Sequence, residues 1–272
     1  MTRHVMEALG KSRVVIENGK VVEIGEPAVK YCPLFKKYRN IDEFNEETIR
    51  ENIEYRISHF GMCTPSRRVR MNDFLSFGIS ELLSMAICEN IIDAAVIAAD
   101  GTGTCVISDP EIVQGLGGRI SGIIETEPIA PVMDAIGRDR ILDPEKAKID
   151  QFAGVAKAFG MNFKKVGVTI TKADDASLIR STFGRDVIIF AVHTTGTSMN
   201  DAEKMFDSCD VITACASENI RKVAKERALL QAGTKIPVFA SSVLGKDIIL
   251  SKLEELGKGP ATGEEDRPSP LN

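Results

Sequence analysis

Two side chains that can exchange protons or form covalent bonds follow apolar segments in the C-terminal half of the chain. His193 directly follows a strand predicted over 186–192, and Cys215 ends a strand predicted over 210–215. If both strands are parallel members of one sheet, their carboxyl ends share the edge where ligands of open α/β sheets bind. We expect a crevice there, with His193 as acid, base or ligand and Cys215 as nucleophile or ligand. The alternatives are a structural histidine and a small buried cysteine.

Small hydroxyl side chains accompany these two residues. Thr194 and Thr195 follow His193, and Ser217 stands at the start of a helix predicted over 217–231. A helix N-terminus offers unpaired N–H groups and a partial positive charge, which favour an anion. We therefore expect these three hydroxyls to contact an anionic ligand, and we expect the helix to lower the pKa of Cys215.

Cys32 and Cys63 lie in proline-containing loops, K-Y-C-P-L-F and G-M-C-T-P-S-R. The chain contains no C-x2-C pair, so the linear sequence carries no visible zinc or iron–sulfur motif. A metal site could still be built from Cys32, Cys63 and Cys215 if the N-terminal region folds over the sheet edge. The cofactor is thus unknown, and a metal ion or iron–sulfur cluster is one alternative.

Two arginines and two glycines are further candidates for binding an anion. Arg67, in R-R-V-R, and Arg119, in the glycine-rich segment 115–122, could each clamp a carboxylate or phosphate. Gly101 and Gly103, in D-G-T-G-T, could approach a phosphate through their backbone. The alternatives are a solvated loop for the arginines and a tight hairpin for the glycines, because no G-K-[ST] follows.

The elements that must position these residues alternate regularly after residue 143. Asp143-Pro144 predicts the start of the first helix, because a capping residue precedes a proline. Helices are predicted over 144–159, 174–183, 200–207, 217–231 and 245–256, and apolar strands over 165–171, 186–192, 210–215 and 236–240. This alternation predicts an α/β fold whose mostly parallel sheet has helices on both faces, with a Rossmann-like C-terminal half.

The N-terminal region has a different pattern. Residues 13–24 predict a β-hairpin around Asn18-Gly19, and the isoleucine spacing over 46–59 predicts a helix. Residues 94–99 are apolar enough for a buried strand. We expect a hairpin and helix over 1–62, an α/β domain over 63–256, and a disordered tail over 257–272, which lacks an apolar face.

Composition limits the classes of partner. The 272 residues carry a formal net charge of -5, which favours neither nucleic acid nor an anionic membrane. No apolar run reaches the roughly 18 residues of a membrane span, and the first residues carry no apolar signal segment. We expect a soluble cytoplasmic protein whose six cysteines are free thiols, core residues or ligands and do not form a disulfide framework. The sequence leaves the oligomeric state open.

Several of these segments occur together in one known family. They are K-Y-C-P-L-F, F-G-M-C-T-P-S-R, G-L-G-G-R-I-S-G, F-A-V-H-T-T-G and A-C-A-S. In combination, from about residue 4 to 257, the chain resembles the methanogenesis marker 8 family of archaeal proteins. The resemblance implies an archaeal methanogen, a cytoplasmic location and a link to methane metabolism. It implies no particular reaction or cofactor.

Three functions are compatible with these observations. The first is an enzyme or binding protein for a small anionic metabolite or cofactor, held at the strand ends. The second is a non-catalytic accessory or assembly factor for the methyl-coenzyme M reductase system, with methanogenesis proteins as partners. The third is a metal or iron–sulfur protein that uses Cys32, Cys63 and Cys215.

Overall fold

The computed structural model describes residues 2–72, 77–118 and 122–272. Within these ranges the chain forms eleven strands and ten α-helices. The strands are β1 (Arg3–Glu7), β2 (Arg13–Glu17), β3 (Lys20–Ile24), β4 (Ala94–Ala99), β5 (Gly103–Ile107), β6 (Gly122–Thr126), β7 (Val166–Ile170), β8 (Val187–Ala191), β9 (Val211–Thr213), β10 (Leu230–Ala232) and β11 (Val238–Ala240). The helices are α1 (Pro33–Arg39), α2 (Glu46–Phe60), α3 (Ile79–Cys88), α4 (Pro110–Gly117), α5 (Ala130–Ile136), α6 (Gln151–Gly160), α7 (Ala173–Phe183), α8 (Met199–Ser208), α9 (Glu218–Arg227) and α10 (Val243–Glu255).

The smaller sheet is antiparallel and has the strand order β3-β2-β1-β6. Its β2–β3 hairpin is the predicted one, with Asn18 at φ 49° and Gly19 at φ 74°, the positive values that a tight hairpin turn needs. Helix α2 packs on this sheet through Ile49 and Ile53. Strand β6 lies far along the chain, so this layer combines segments from both sides of residue 62.

The larger sheet has seven strands in the order β10-β11-β9-β8-β7-β4-β5. Strands β4, β7, β8 and β9 are parallel. The sequence predicts this arrangement for β7, β8 and β9, and it predicts β4 only as a buried strand. Alternate residues of β8 enter opposite cores: Ile188 and Phe190 face the helices α3, α4 and α10, whereas Ile189 faces α6 to α9. The parallel strands are therefore covered by helices on both faces.

The edges of this sheet differ from the Rossmann-like arrangement that the sequence predicts. The four parallel strands lie side by side in chain order, and β5, β11 and β10 are antiparallel to their neighbours. Helix α9 ends at Arg227, short of the predicted residue 231, because β10 begins at Leu230. The β10–β11 hairpin then reverses the chain, so 236–240 does not add a parallel strand.

The first helix of the C-terminal half also begins later than predicted. Asp143 accepts hydrogen bonds from the N–H groups of Glu145 and Lys146, but this turn does not continue, and Ala147 has a φ of 49°. Helix α6 begins at Gln151, where the Asp150 carboxylate accepts from the Ala153 N–H. Asp150 is thus a helix cap and not an interior helical residue.

The C-terminal segment 257–272 packs against the body, contrary to the expected disordered tail. Ser269 forms a bridge with Tyr31, Pro268 is buried, and the Glu264 carboxylate lies 2.8 Å from Arg221 Nη1. A segment without an apolar face can be ordered in this way, because backbone hydrogen bonds and ion pairs hold it in place. Within the described ranges, no helix combines the length and apolar character needed to cross a membrane.

Candidate functional site

A cavity of about 700 Å³ separates the N-terminal layer from the carboxyl ends of β8 and β9. The wall from the larger sheet includes His193, Thr195 and Cys215, and the wall from α1 includes Cys32. The structure therefore places four of the candidate residues around one cavity. Its opposite wall is largely apolar and aromatic, with contributions from Leu34, Phe35, Tyr38, Phe44 and Phe60.

His193 reaches the cavity through an unusual backbone conformation. Strand β8 ends at Ala191, and His193 has a φ of 54°, which lies in the left-handed region. Its ring lies over Gly122, the first residue of β6, so that a side-chain carbon at Gly122 would come within 3.2 Å of the ring. The strand end and the close approach of β6 together fix where the imidazole lies.

The electrostatics around His193 favour its neutral form. Desolvation by the surrounding protein lowers the pKa of His193 to about 4. The nearest carboxylate oxygen, on Glu7, is 3.9 Å from Nδ1, and burial raises the pKa of Glu7 while Lys11 opposes that rise. At neutral pH the imidazole therefore has one nitrogen that can accept a proton and one that can donate it.

Cys215 is an exposed residue that lines the cavity. Desolvation raises the pKa of Cys215 to about 12, and the nearby Cys32 adds to the rise, whereas Arg221 opposes it. The predicted lowering of this pKa is wrong, because the first helical residue of α9 is Glu218 and desolvation outweighs the effect of the helix. Cys215 is therefore a thiol at neutral pH.

Cys32 is buried where α1 begins, with Pro33 in the first helical position. Burial raises the pKa of Cys32, while the N–H groups of Phe35 and Leu34 lower it. Cys32, beside α1, and Cys215, after β9, both line the cavity. The N-terminal region thus folds over the sheet edge, as a shared cysteine site would require.

Cys63 does not join the two cavity thiols. It is buried in the N-terminal core with Ile49 and Ile53, and its N–H donates to Asp100 Oδ2 at 2.6 Å. In residues 2–72, 77–118 and 122–272, no group of three His, Cys, Asp or Glu side chains is placed to hold a metal ion. The expected ligand set of Cys32, Cys63 and Cys215 is therefore not assembled.

Arg67 is a structural residue and does not face the cavity. Its side chain is fully buried, with Nε 3.1 Å from both carboxylate oxygens of Asp100. The remaining guanidinium nitrogens donate to the carbonyl groups of Arg68 and Leu116. Arg67 is therefore not available to bind a ligand, contrary to the expectation from the sequence. Arg119, the other arginine candidate, lies outside the described residues.

Gly101 and Gly103 form the buried β4–β5 turn, not a phosphate loop. Both have positive φ values, 80° and 64°. A side chain at Gly101 would meet Ile129, and one at Gly103 would meet the Ala147 carbonyl group. The two glycines are needed because neighbouring segments pack against the turn, which is the hairpin alternative.

The three candidate hydroxyls have different environments. Thr194 is buried and donates to the Thr213 carbonyl at 2.6 Å, so it holds β8 and β9 together. Thr195 lines the cavity, and its Oγ1 accepts from the Ala216 N–H at 3.3 Å. Ser217 is buried, and its hydroxyl has no hydrogen-bond partner among the described residues.

The cationic residues of the cavity are absent from the sequence-based predictions. Lys11, Arg39 and Arg56 line the wall contributed by the N-terminal layer. The Lys11 ammonium donates to the Thr195 carbonyl, and the Arg39 guanidinium lies 4.7 Å from the centre of the Tyr55 ring. No linear motif marks them, because they face the strand ends only once this layer folds across the larger sheet.

A second cavity of about 450 Å³ lies on the other side of His193, beside the carboxyl ends of β4 and β7. Its polar lining includes Asp150, Gln151 and Lys172. The residues that it shares with the first cavity are Ile79, Ser80, Gly117, Val192 and His193. The imidazole therefore lies where the two spaces meet.

The lowered pKa of His193 predicts a measurable pH dependence of stability. Desolvation lowers the pKa of His193 from 6.5 in the unfolded protein towards 4 in the folded protein, and because the side chain is 38% exposed, water reduces the size of this effect. Stability from this residue is therefore present above pH 6.5 and is lost as the pH falls towards 4. Urea unfolding at pH 7 and pH 5 measures how much the free energy of unfolding falls between these two pH values. This fall should be smaller for His193→Gln than for the wild type. Equal losses of unfolding free energy in the two proteins would contradict the prediction. The pKa of His4 is also lowered, but His4 is present in both proteins and contributes to both losses.

Comparison with known proteins places the chain in an archaeal family. An uncharacterized protein of Methanocaldococcus jannaschii, MJ0054, is 47% identical over 263 residues, which cover 95% of this chain and 93% of the relative. No solved structure matches the chain. The family model described as "Uncharacterized protein conserved in archaea (DUF2099)" matches residues 4–254. The chain belongs to this archaeal family.

Proposed function

We propose that the cavity between the N-terminal layer and the strand ends binds a small anionic metabolite or cofactor. The observation that carries the proposal is the charge of the lining. Lys11, Arg39 and Arg56 contribute three cations and Glu7 one carboxylate to its described walls, whereas the whole chain has a net charge of -5. A cationic concavity in an acidic protein concentrates anions at that place.

The remaining lining indicates which kind of anion fits. Phe35, Phe44 and Phe60 form an apolar wall opposite His193 and Cys215. A ligand with an apolar body and an anionic group could pack on this wall and still reach Lys11. The neutral imidazole and the thiol would then face the ligand, with His193 able to accept or donate a proton and Cys215 able to act as a nucleophile once deprotonated.

The biological setting is part of the same proposal. The resemblance to the methanogenesis marker 8 family supports a role in methane metabolism in the cytoplasm of an archaeon. The family match supports the archaeal assignment. The ligand would accordingly be an anionic metabolite or cofactor of that metabolism.

Replacing Lys11 by methionine should weaken anion binding. The ammonium group donates to Thr195 O and has two further protons with which to contact a ligand. A hydrogen bond to a charged group is worth about 1.5–3 kcal/mol, so we expect inorganic phosphate to bind at least about tenfold more weakly. Isothermal titration calorimetry at pH 7 measures this affinity.

The matched control is Lys20→Met, which removes an equal charge from an exposed position on β3, away from the cavity lining. This variant should bind phosphate like the wild type. Equal weakening in both variants would mean that phosphate senses the net charge of the protein, and it would remove the support for a cavity site.

A further inference from the structure

We propose that the cavity ligand carries a planar aromatic ring, which packs against an aromatic wall formed by Phe35, Tyr38, Phe44 and Phe60 while the anionic group of the ligand contacts the cations beside this wall. The inference rests on the proposed function and narrows it, because it names the class of ligand that the same cavity takes. The proposed function requires an anion with some apolar surface. The inference requires an aromatic anion, in which the ring is joined to a phosphate or carboxylate.

Aromatic side chains are concentrated in this cavity. The 272 residues contain 12 Phe, 3 Tyr and no Trp, which is only 6% of the chain. Four of these aromatic residues line the described walls of the cavity, and all four come from the N-terminal layer. The wall from the larger sheet instead contributes His193, Thr195 and Cys215. A ligand that lies between the two walls therefore meets rings on one side and polar groups on the other.

The ring of Tyr38 is the most open part of the aromatic wall. Tyr38 lines the cavity and is 62% exposed. Phe35 lies three residues earlier on the same face of α1, and its ring packs edge-to-face against the buried Phe44, with the ring centres 5.3 Å apart. A tyrosine ring has few rotatable bonds, so it loses little conformational entropy when a ligand covers it.

Cations lie in the same short segment as the exposed ring. Arg39 directly follows Tyr38, lines the cavity, and has its guanidinium carbon 4.7 Å from the centre of the Tyr55 ring. The Lys37 ammonium lies 5.0 Å from the centre of the Tyr38 ring. A guanidinium group binds phosphate and also stacks on planar rings, so it suits a ligand that has both parts. Contacts for a ring and for an anion are therefore adjacent on one wall.

The size and chemistry of the cavity favour an aromatic ring over an aliphatic chain. Its volume of about 700 Å³ lies within the roughly 300–1,000 Å³ of pockets that hold drug-sized ligands, so inorganic phosphate alone would leave most of it unfilled. Any apolar group gains free energy when this wall removes it from water. An aromatic ring gains in addition from offset or edge-to-face contacts with Phe35 and Tyr38.

Two phosphate esters that differ only in the ring test this distinction in the unmodified protein. Phenyl phosphate and cyclohexyl phosphate carry the same anionic group on a six-carbon ring, but only the first ring is aromatic. We expect the wild type to bind phenyl phosphate at least about tenfold more tightly than inorganic phosphate, and about three- to tenfold more tightly than cyclohexyl phosphate. Isothermal titration calorimetry at pH 7 measures the three affinities.

Tyr38 offers a matched pair of variants. Tyr38→Leu keeps an apolar side chain without the ring, so the preference for phenyl over cyclohexyl phosphate should fall below about twofold while the affinity for inorganic phosphate stays unchanged. Tyr38→Phe keeps the ring and should retain the preference. Both variants should fold, because Tyr38 is largely exposed. In the wild type, nuclear Overhauser effects between the phenyl protons of the ligand and the Tyr38 ring protons should locate the bound ring.

The outcomes separate this inference from the proposed function. If the protein binds inorganic phosphate but binds the two esters equally, the aromatic ligand is overturned and the anion site stands. An aromatic preference that is as large in Tyr38→Leu as in the wild type would also overturn the inference, because the ring would then bind away from this wall. If the wild type binds none of the three compounds, the proposed function fails as well.

Discussion

Replacing Asp100 by alanine is expected to lower the free energy of unfolding by about 3–5 kcal/mol. The variant leaves the Arg67 guanidinium, which is fully buried, without its counter-charge. It also removes the acceptor of the Cys63 N–H. A buried charge without a partner is costly because neither water nor another ion replaces the lost interaction. Urea unfolding followed by circular dichroism measures the change.

The control for this prediction is an exposed ion pair. Asp174 contacts Lys204 at 2.8 Å, and its side chain is 82% exposed, so water already solvates the pair. We expect Asp174→Ala to cost less than about 1 kcal/mol. Equal effects at Asp100 and Asp174 would show that Asp100 and Arg67 do not form the buried link between the Cys63 loop and the β4–β5 turn.

Replacing Cys215 by tryptophan should abolish phosphate binding while the protein remains folded. The thiol opens into a cavity of about 700 Å³, which can accept an indole ring without displacement of the core. The ring would occupy the space between the strand ends and Lys11. We expect the affinity for inorganic phosphate to fall at least about a hundredfold, because the ligand loses its space as well as individual contacts. Calorimetry gives the affinity.

The matched control is Cys88→Trp. Cys88 is also exposed, but it lies at the end of α3 on the outer surface. This variant should bind phosphate with the affinity of the wild type and should melt at a similar temperature. Phosphate binding that survives Cys215→Trp in a folded protein would exclude this cavity as the binding site.

The sequence predicted the fold correctly in segments where burial determines the pattern of apolar residues. The apolar runs that became β7, β8 and β9 predicted parallel strands, because each is covered by helices on both faces. The rule that ligands bind beyond such strand ends then selected His193 and Cys215, which line one cavity. Local patterns therefore sufficed for one wall of the candidate site.

The other wall depends on contacts between distant segments. Strand β1 pairs with β6, more than a hundred residues later, and this pairing carries Glu7 and Lys11 to the strand ends. The segment 257–272 is ordered by backbone hydrogen bonds and by the pair of Glu264 with Arg221, which composition does not reveal. Local propensity carries no information about such partners.

The linear sequence also did not reveal the pKa values and ion pairs of the candidate residues. A cysteine before a helix suggested a lowered pKa, but desolvation at the cavity wall raises the pKa of Cys215 to about 12. Arg67 suggested an anion clamp, but Asp100, which follows β4, neutralises it in the core. Both outcomes depend on desolvation, which is a property of the assembled layers.

A crystal structure of the wild-type protein soaked in sodium selenate tests the anion site most directly, because selenium scatters anomalously and marks a bound tetrahedral anion without ambiguity. Our account predicts an anomalous peak inside the cavity, within hydrogen-bond distance of Lys11 Nζ. Selenate bound at outer surfaces, with water alone beside Lys11, His193 and Cys215, would contradict it.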